Sequence, residues 1–416
     1  MELRDIHQAL NNYKDLSGAK KFFQALGYPT IDPLPVPEIE QLPESAKKII
    51  HSCHLISDCR QPQLFEEEVP ASSQFCIYHI ELKTDKLRRT DFRHILEPFY
   101  RKFPQGNNLF VFTLSQQPYR ELAFVSPQRL LKGRRKDERI SLHLRTLRVL
   151  REEPYRTDLE ILQEIANPPL DPQAIWERHE SAFNIERVTE RFFEDYRSAL
   201  HTMVDCLQPT KEEPRDDKQR HSNRFSYAQL LLNRLMVCYF LARKGWLVDG
   251  SGRPIRRYMR WLWKQYQQNR TNQTSFHQWL TILFRDAFNM ELGRLTSAPI
   301  PDEVRHSFQT VPYLNGGLFA ELEPDTFGYE VPDEVFAELL FGHDPDRDPK
   351  LLEKYNFTVD ESRPFDEEMA VDPEMLGKVY ESLIAVEERG EGGIFYTPRL
   401  EVDLMCRLSI AEYLHE

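Results

Sequence analysis

The spacing of apolar positions changes character near residue 150. Before that point short apolar runs alternate with helically patterned segments, and after it nearly every run has helical spacing. Helical patterning runs around Leu10 to Leu26. The Pro-rich stretch "GYPTIDPLPVPEIEQLP" then reads as extended chain, and "ESAKKIIHSCHLIS" as a short helix. "FCIYHIELK" (Phe75–Lys83) alternates in part and predicts a strand. "TDFRHILEPFYRKF" (Thr90–Phe103) opens on Thr-Asp and carries Phe92, Ile95, Leu96 and Phe99 at helical spacing. "NNLFVFTLS" predicts a buried strand, "YRELAFVSP" a strand closed by Ser-Pro, and Arg139–Leu150 one more strand. The order strand, helix, strand, strand makes an α/β domain over residues 1–150.

Beyond it the chain predicts a mainly α-helical connector over 151–390. Trp176, Phe183, Val188, Phe192 and Tyr196 share one helical spacing. Gln208–Arg224 is polar and unpatterned, which predicts an exposed loop. "FSYAQLLLNRLMVCYFLARKGWL" is a strongly apolar helix ending at Gly245, and "RPIRRYMRWLWKQY" and "SFHQWLTILFRDAF" are two more. The segment from "SAPIPDEV" to "GYEVPDEVF" reads as loop.

Composition narrows the classes. The 416 residues carry a net charge of −12, so a uniformly basic nucleic-acid coat is excluded, whereas a local basic groove is not. Six cysteines stand at Cys53, Cys59, Cys76, Cys206, Cys238 and Cys406 with no CxxC pair, which argues against a zinc site. The charged start "MELRDIHQAL" has no apolar core of a signal peptide, and no apolar run predicts a membrane span. A cytoplasmic protein with free thiols is expected. No P-loop, GxSxG or HExxH occurs, and His51 and His54 find no third ligand.

Three segments gain meaning from their order. "VPYLNGGLF" (Val311–Phe319) holds the turn Asn315-Gly316-Gly317, "VDPEMLGKVYESL" (Val371–Leu383) opens on a helix start at Asp372-Pro373, and "GGIFYTP" ends at Pro398. Each alone is ordinary turn or capping chemistry. In this sequence they resemble the helical connector and methyltransferase entry of type IIG-like restriction–modification enzymes and related phage-defence adenine-specific DNA methyltransferases, including those of BREX- and DISARM-like systems. The resemblance is strongest over about residues 310–405. It extends more weakly to "AFNIERVTERFFEDY" and "YFLARKGWL".

That resemblance implies N6-adenine methylation of DNA with S-adenosylmethionine, in host defence. It makes Phe395, Tyr396, Thr397 and Pro398 part of the cofactor pocket, and residues 391–416 the start of a Rossmann-like methyltransferase domain. On the residues alone, Thr397 caps a helix that Pro398 begins. The family continues with a Gly-rich loop and an "NPPY" tetrad. The expectation is therefore that these residues by themselves do not methylate, and that DNA and a separate methyltransferase polypeptide, helicase or other defence subunit are partners. "ANPPLDPQ" lies far upstream and lacks the aromatic after its prolines, so it reads as a Pro-rich linker.

Glu81-x-Lys83 at the end of a predicted strand, followed by a helix and a strand, is half of a PD-(D/E)xK nuclease signature. Carboxylates would bind Mg2+, with the lysine stabilising charge or orienting water. Asp58 is the candidate second carboxylate and metal ligand beside Glu81, and the acidic run Glu66–Glu68 is another. The pattern also arises by chance on a solvated strand face, so three readings stay open: an active nuclease, a degenerate one, and an unrelated α/β interaction domain. Two basic clusters are candidates for DNA contact. One is Lys132–Lys136. The other is Arg253, Arg256, Arg257, Arg260 and Lys264, whose spacing would make one positive helical stripe, or simply a solvated face.

Overall fold

The computed structural model describes residues 1–60, 74–103, 106–116, 119–130, 141–270, 274–290, 292–314, 317–342, 350–359, 366–373, 375, 377 and 399–415. The chain divides into two compact units. The first is Met1–Val188 with Lys354–Asn356 and Ser362–Ala370. The second is Thr189–Glu353 with Phe357–Glu361 and Val371–Glu416.

The first unit is an α/β fold on a mixed seven-stranded sheet. Its elements are α1 (Leu3–Asn11), α2 (Leu16–Ala25), β1 (Thr30–Pro35), α3 (Glu44–Ile49), β2 (Ile50–Arg60), β3 (Gln74–Leu82), α4 (Arg89–Lys102), β4 (Asn107–Leu114), β5 (Glu121–Leu130), β6 (Ser141–Leu150), α5 (Arg156–Glu164) and α6 (Pro172–Ala182). The sheet order is β1-β2-β3-β4-β5-β6-β9, where β9 (Asp366–Glu368) comes from far along the chain. Neighbours are antiparallel except β3 with β4, and β6 with β9. Parallel β3 and β4 need a crossover, which α4 supplies. Its Phe92, Ile95, Leu96, Phe99 and Tyr100 recur at helical spacing and are buried, with Phe92 stacked on Phe112 at 4.4 Å. On α1 and α2, Ile6, Leu10, Phe22 and Phe23 are likewise buried, and Phe22 and Phe23 reach Phe124 of β5.

Two elements depart from the sequence pattern. The segment "ESAKKIIHSCHLIS" is helical only to Ile49, and from Ile50 it becomes β2, paired along its length with β3. Pairing with a central strand overrides the local helical reading. β5 does not stop at Ser-Pro either. It runs through Pro127 to Leu130, where it pairs with β6 alone.

β9 consists of three acidic residues, and basic side chains of the same unit meet each one. Arg93 grips Asp366 with Nη2 at 2.7 Å and Nε at 3.2 Å. Glu367 lies 3.3 Å from His143 and 3.6 Å from Arg145. Fully buried Glu368 accepts from Arg89 at 2.9 Å, with Arg148 at 3.7 Å.

The second unit is helical. It contains most of α7 (Ile185–Cys206), then a two-stranded ribbon of β7 (Gln208–Pro209) and β8 (Tyr329–Glu330). The helices are α8 (Asp217–Arg243), α9 (Tyr258–Gln268), α10 (Phe276–Thr281), α11 (Leu292–Ser297), α12 (Asp302–Gln309), α13 (Glu323–Thr326), α14 (Asp333–Phe336) and α15 (Arg399–His415). α10 continues as a π-helix over Ile282–Ala287. The predicted loop 208–224 is loop only in part: Asp216 caps α8 by accepting from Gln219 N, so the helix begins at Asp217. The predicted loop after Ser297 is divided by the short helices α12, α13 and α14. α8 is long and apolar enough by composition to cross a membrane, but 72% of its apolar stretch is buried inside the fold. It is the central helix of this unit, apolar on most sides because neighbours cover it.

Candidate functional site

Glu81 and Lys83 stand where β3 ends and the chain turns toward α4. Lys83 N still donates to Ile49 O at 2.8 Å. Across the sheet Glu81 faces Ser52 of β2 and Thr113 of β4. Asp58 is not there. Its partner on β3 is Cys76, five residues before Glu81, a separation of about 17 Å at the rise of a strand. Asp58 is held instead by Arg60 at 2.8 Å and Gln74 Nε2 at 3.2 Å. β2 as a strand thus fixes a register that keeps Asp58 and Glu81 apart.

Histidines and tyrosines surround Glu81. Tyr119 Oη donates to Glu81 Oε1 at 2.8 Å. Tyr119 holds φ at 64°, a strained conformation for an aromatic residue, and its N–H is tied to Thr113 Oγ1 at 2.9 Å. His79 is fully buried, parallel to the Tyr119 ring at 5.3 Å, with Nδ1 3.0 Å from Tyr13 Oη. Its Nε2 lies 4.0 Å from Glu81 Oε1, while His51 Nε2 lies 3.9 Å from Oε2. Burial, then the neighbouring His54, pushes the His79 imidazole down to about 3, so it is neutral. His54, paired across the strands with His79, is also lowered by burial, with Glu81 opposing.

These residues do not fit Mg2+. That ion takes oxygen ligands in a near-octahedral shell. Here a serine faces Glu81 where a second carboxylate would be needed, Tyr119 occupies one Glu81 oxygen, and two imidazoles flank the carboxylate. Among the described residues no three His, Cys, Asp or Glu side chains form a metal-binding group. The run Glu66–Glu68 lies outside the described residues, as do Lys132–Lys136.

A cavity of about 520 Å³ opens beside this cluster, between β1, α3 and the start of β2. Lys47, Lys48, Lys83, His51 and His54 line it, together with Glu40 and Glu44. Lys47 is paired with Glu44 at 2.5 Å. Among the described residues, Lys48 and Lys83 have no carboxylate partner.

The arginine stripe of the second unit does not form. α9 begins at Tyr258, so Arg253 and Arg256 precede the helix and Arg257 is its cap residue. Arg257 and Arg260 turn inward to fully buried Glu353, at 3.2 and 3.7 Å, and Tyr239 Oη donates to the same carboxylate at 2.9 Å. Arg253 is 82% exposed and Lys264 is exposed.

Asn315 and Gly316 lie outside the described residues, but the rest of the "NGGLF" turn is well placed. Arg234 of α8 donates to Leu318 O at 2.7 Å and Ala320 O at 2.9 Å, and Phe319 packs between Phe284 and Phe288. The turn is thus a fastening inside the unit. In the first unit, Asn167 of "ANPPLDPQ" holds φ at 51° and donates to Leu26 O, while Arg178 binds its carbonyl. It is a corner between α5 and α6. The proposed cofactor residues Phe395, Tyr396, Thr397 and Pro398, with most of "VDPEMLGKVYESL", lie outside the described residues.

Comparison with known proteins adds one relationship. The chain is 29% identical over 204 residues to a protein of Methanocaldococcus jannaschii named as a candidate type II restriction enzyme and methyltransferase. The chain is similar to a restriction–modification protein. The match spans 46% of this chain and 15% of that protein's length. No family model matches, and no solved structure matches.

The sequence missed His79, Tyr13 and Tyr119, which are far apart in the chain and meet only through the sheet. His51 and His54 were visible, but a helix was the wrong frame for them: on β2 they flank the end of β3.

Proposed function

We propose that these residues form the DNA-engaging front region of a restriction–modification methyltransferase that modifies adenine at N6 in defence against phage. The observation that carries this reading is the 29% identity over 204 residues to a protein whose name joins restriction and methylation. The fastening at Leu318–Ala320 and the "GGIFYTP" segment support it. In this reading DNA is the substrate and S-adenosylmethionine the methyl donor. Phe395, Tyr396, Thr397 and Pro398 form one wall of its pocket. The work takes place in the cytoplasm, where DNA and cofactor are both present.

α15 supports a covering methyltransferase surface. Its Val402, Leu404, Met405, Leu408, Ile410, Tyr413 and Leu414 are all exposed, in a helix apolar on more than one side. Such a helix is stable when buried.

Mass spectrometry of DNA from cells expressing the complete locus tests the reading. N6-methyladenine should be present, and should fall to background when residues 1–150 are deleted in frame while the methyltransferase polypeptide is still produced. DNA without methyladenine from the intact locus would overturn it.

A further inference from the structure

We propose that the strand-end cleft of the first unit grips the phosphate backbone of DNA and does so without Mg2+-dependent cleavage. This rests on the reading of DNA as the partner and says where and how DNA is held.

The argument starts from what the Glu81 end of the sheet has become. A metal-dependent nuclease needs carboxylate oxygens converging on one ion. The register of β2 on β3 puts Ser52 opposite Glu81 and leaves Asp58 about 17 Å along the strand, paired with Arg60. Tyr119, held at positive φ, occupies Glu81 Oε1, and His51 and His79 flank the carboxylate. The site is densely organised, yet for something other than a hard cation.

Its lysines face the cleft. Lys83, two residues beyond Glu81, lines the cavity with Lys48, His51 and His54, whereas Glu81 itself does not. The carboxylate of Glu44 is engaged by Lys47, so Glu40 is the one lining acid without a lysine directly bonded to it among the described residues. In a chain of net charge −12, the cavity lining carries three lysines against two glutamates, and among the described residues Lys48 and Lys83 have no carboxylate partner, which marks a local reversal of sign. The cleft volume of about 520 Å³ admits a phosphodiester segment. A backbone phosphate asks for donors and positive charge without base recognition, and these side chains supply both.

Fluorescence anisotropy of a labelled duplex, titrated across salt with the full chain, tests the proposal. Lys48→Glu/Lys83→Glu should weaken binding at least about tenfold near 0.1 M salt and lower the salt slope by about two. Arg253→Glu/Lys264→Glu should leave both unchanged. Calorimetry with Mg2+ alone should show no saturable binding, and duplex should stay intact with Mg2+ present. Equal binding by the double-lysine variant, with the parent chain still binding DNA, would sink the proposal and leave the proposed function standing. Saturable Mg2+ binding lost in Glu81→Gln would overturn the metal-free half. A parent chain that binds no duplex would remove the DNA reading itself.

Discussion

Arg234 and Asp325 meet side-on inside the second unit. Nη1 lies 2.6 Å from Oδ1 and Nη2 2.7 Å from Oδ2, with the side chains only 5% and 4% exposed. Burial by itself would raise the Asp325 carboxyl. The Arg234 hydrogen bonds and charge outweigh it and hold the group below its ordinary range. The same guanidinium also carries the Leu318 and Ala320 carbonyls, so one side chain fixes both the turn and the acid.

Arg234→Leu should therefore be severe. It takes the bidentate partner from a buried carboxylate, leaving it Arg285 at 3.6 Å and the Leu322 N–H, and takes the donor from two carbonyls, which costs about 3 kcal/mol. Urea unfolding should show the loss, and Arg234→Leu/Asp325→Leu should recover part of it. A single variant within about 0.5 kcal/mol of the parent would refute this account.

Acid should weaken the first unit well before ordinary carboxylates titrate. Burial lowers His79, and likewise His179, from 6.5 to about 3 in the fold. Both are neutral when folded and protonate near 6.5 when unfolded, so their contribution is complete above that pH. It is lost progressively as pH falls from 6.5 toward 3, because the unfolded chain takes up protons that the fold excludes. Denaturant midpoints measured from pH 8 to 4 should decline over this window, and His79→Gln should flatten the decline. An unchanged slope in that variant would show that His79 does not contribute.

The inward arginines of the second unit should behave as stability residues. Arg257→Met leaves Glu353 short of one cation in a fully buried position and should destabilise by about 3 kcal/mol. Lys264→Glu, on the solvent side of the same helix, should stay within about 0.5 kcal/mol. Thermal unfolding of the two side by side is enough. Equal effects would mean that the burial of Glu353 is not what matters.

What the sequence disclosed depended on the range of the interaction involved. α4 and strands β3, β4 and β6 were legible because one amphipathic face or one apolar run defines each. β2 was not, since its "HSCHLIS" residues favour no period strongly and take strand form by pairing with β3. β9 was invisible: "DEE" has no apolar signal, and basic partners hundreds of residues upstream hold it. The same limit governed the site. Glu81 and Lys83 could be found as a local pattern, while the exclusion of Asp58 is a fact of register. The arginine stripe failed because spacing cannot say where a helix starts, nor that a buried glutamate almost a hundred residues on will claim two of its members.

The late arrival of β9 has a consequence for biosynthesis. The ribosome makes β6 long before it makes Asp366–Glu368, and most of the helical unit, Thr189–Glu353, is translated in between. Until then β6 presents an open edge, of the kind that invites pairing with another chain. Arg89 and Arg93 meanwhile await their acidic partners. The sheet is therefore sealed last, by a strand that reports that everything before it has been synthesised.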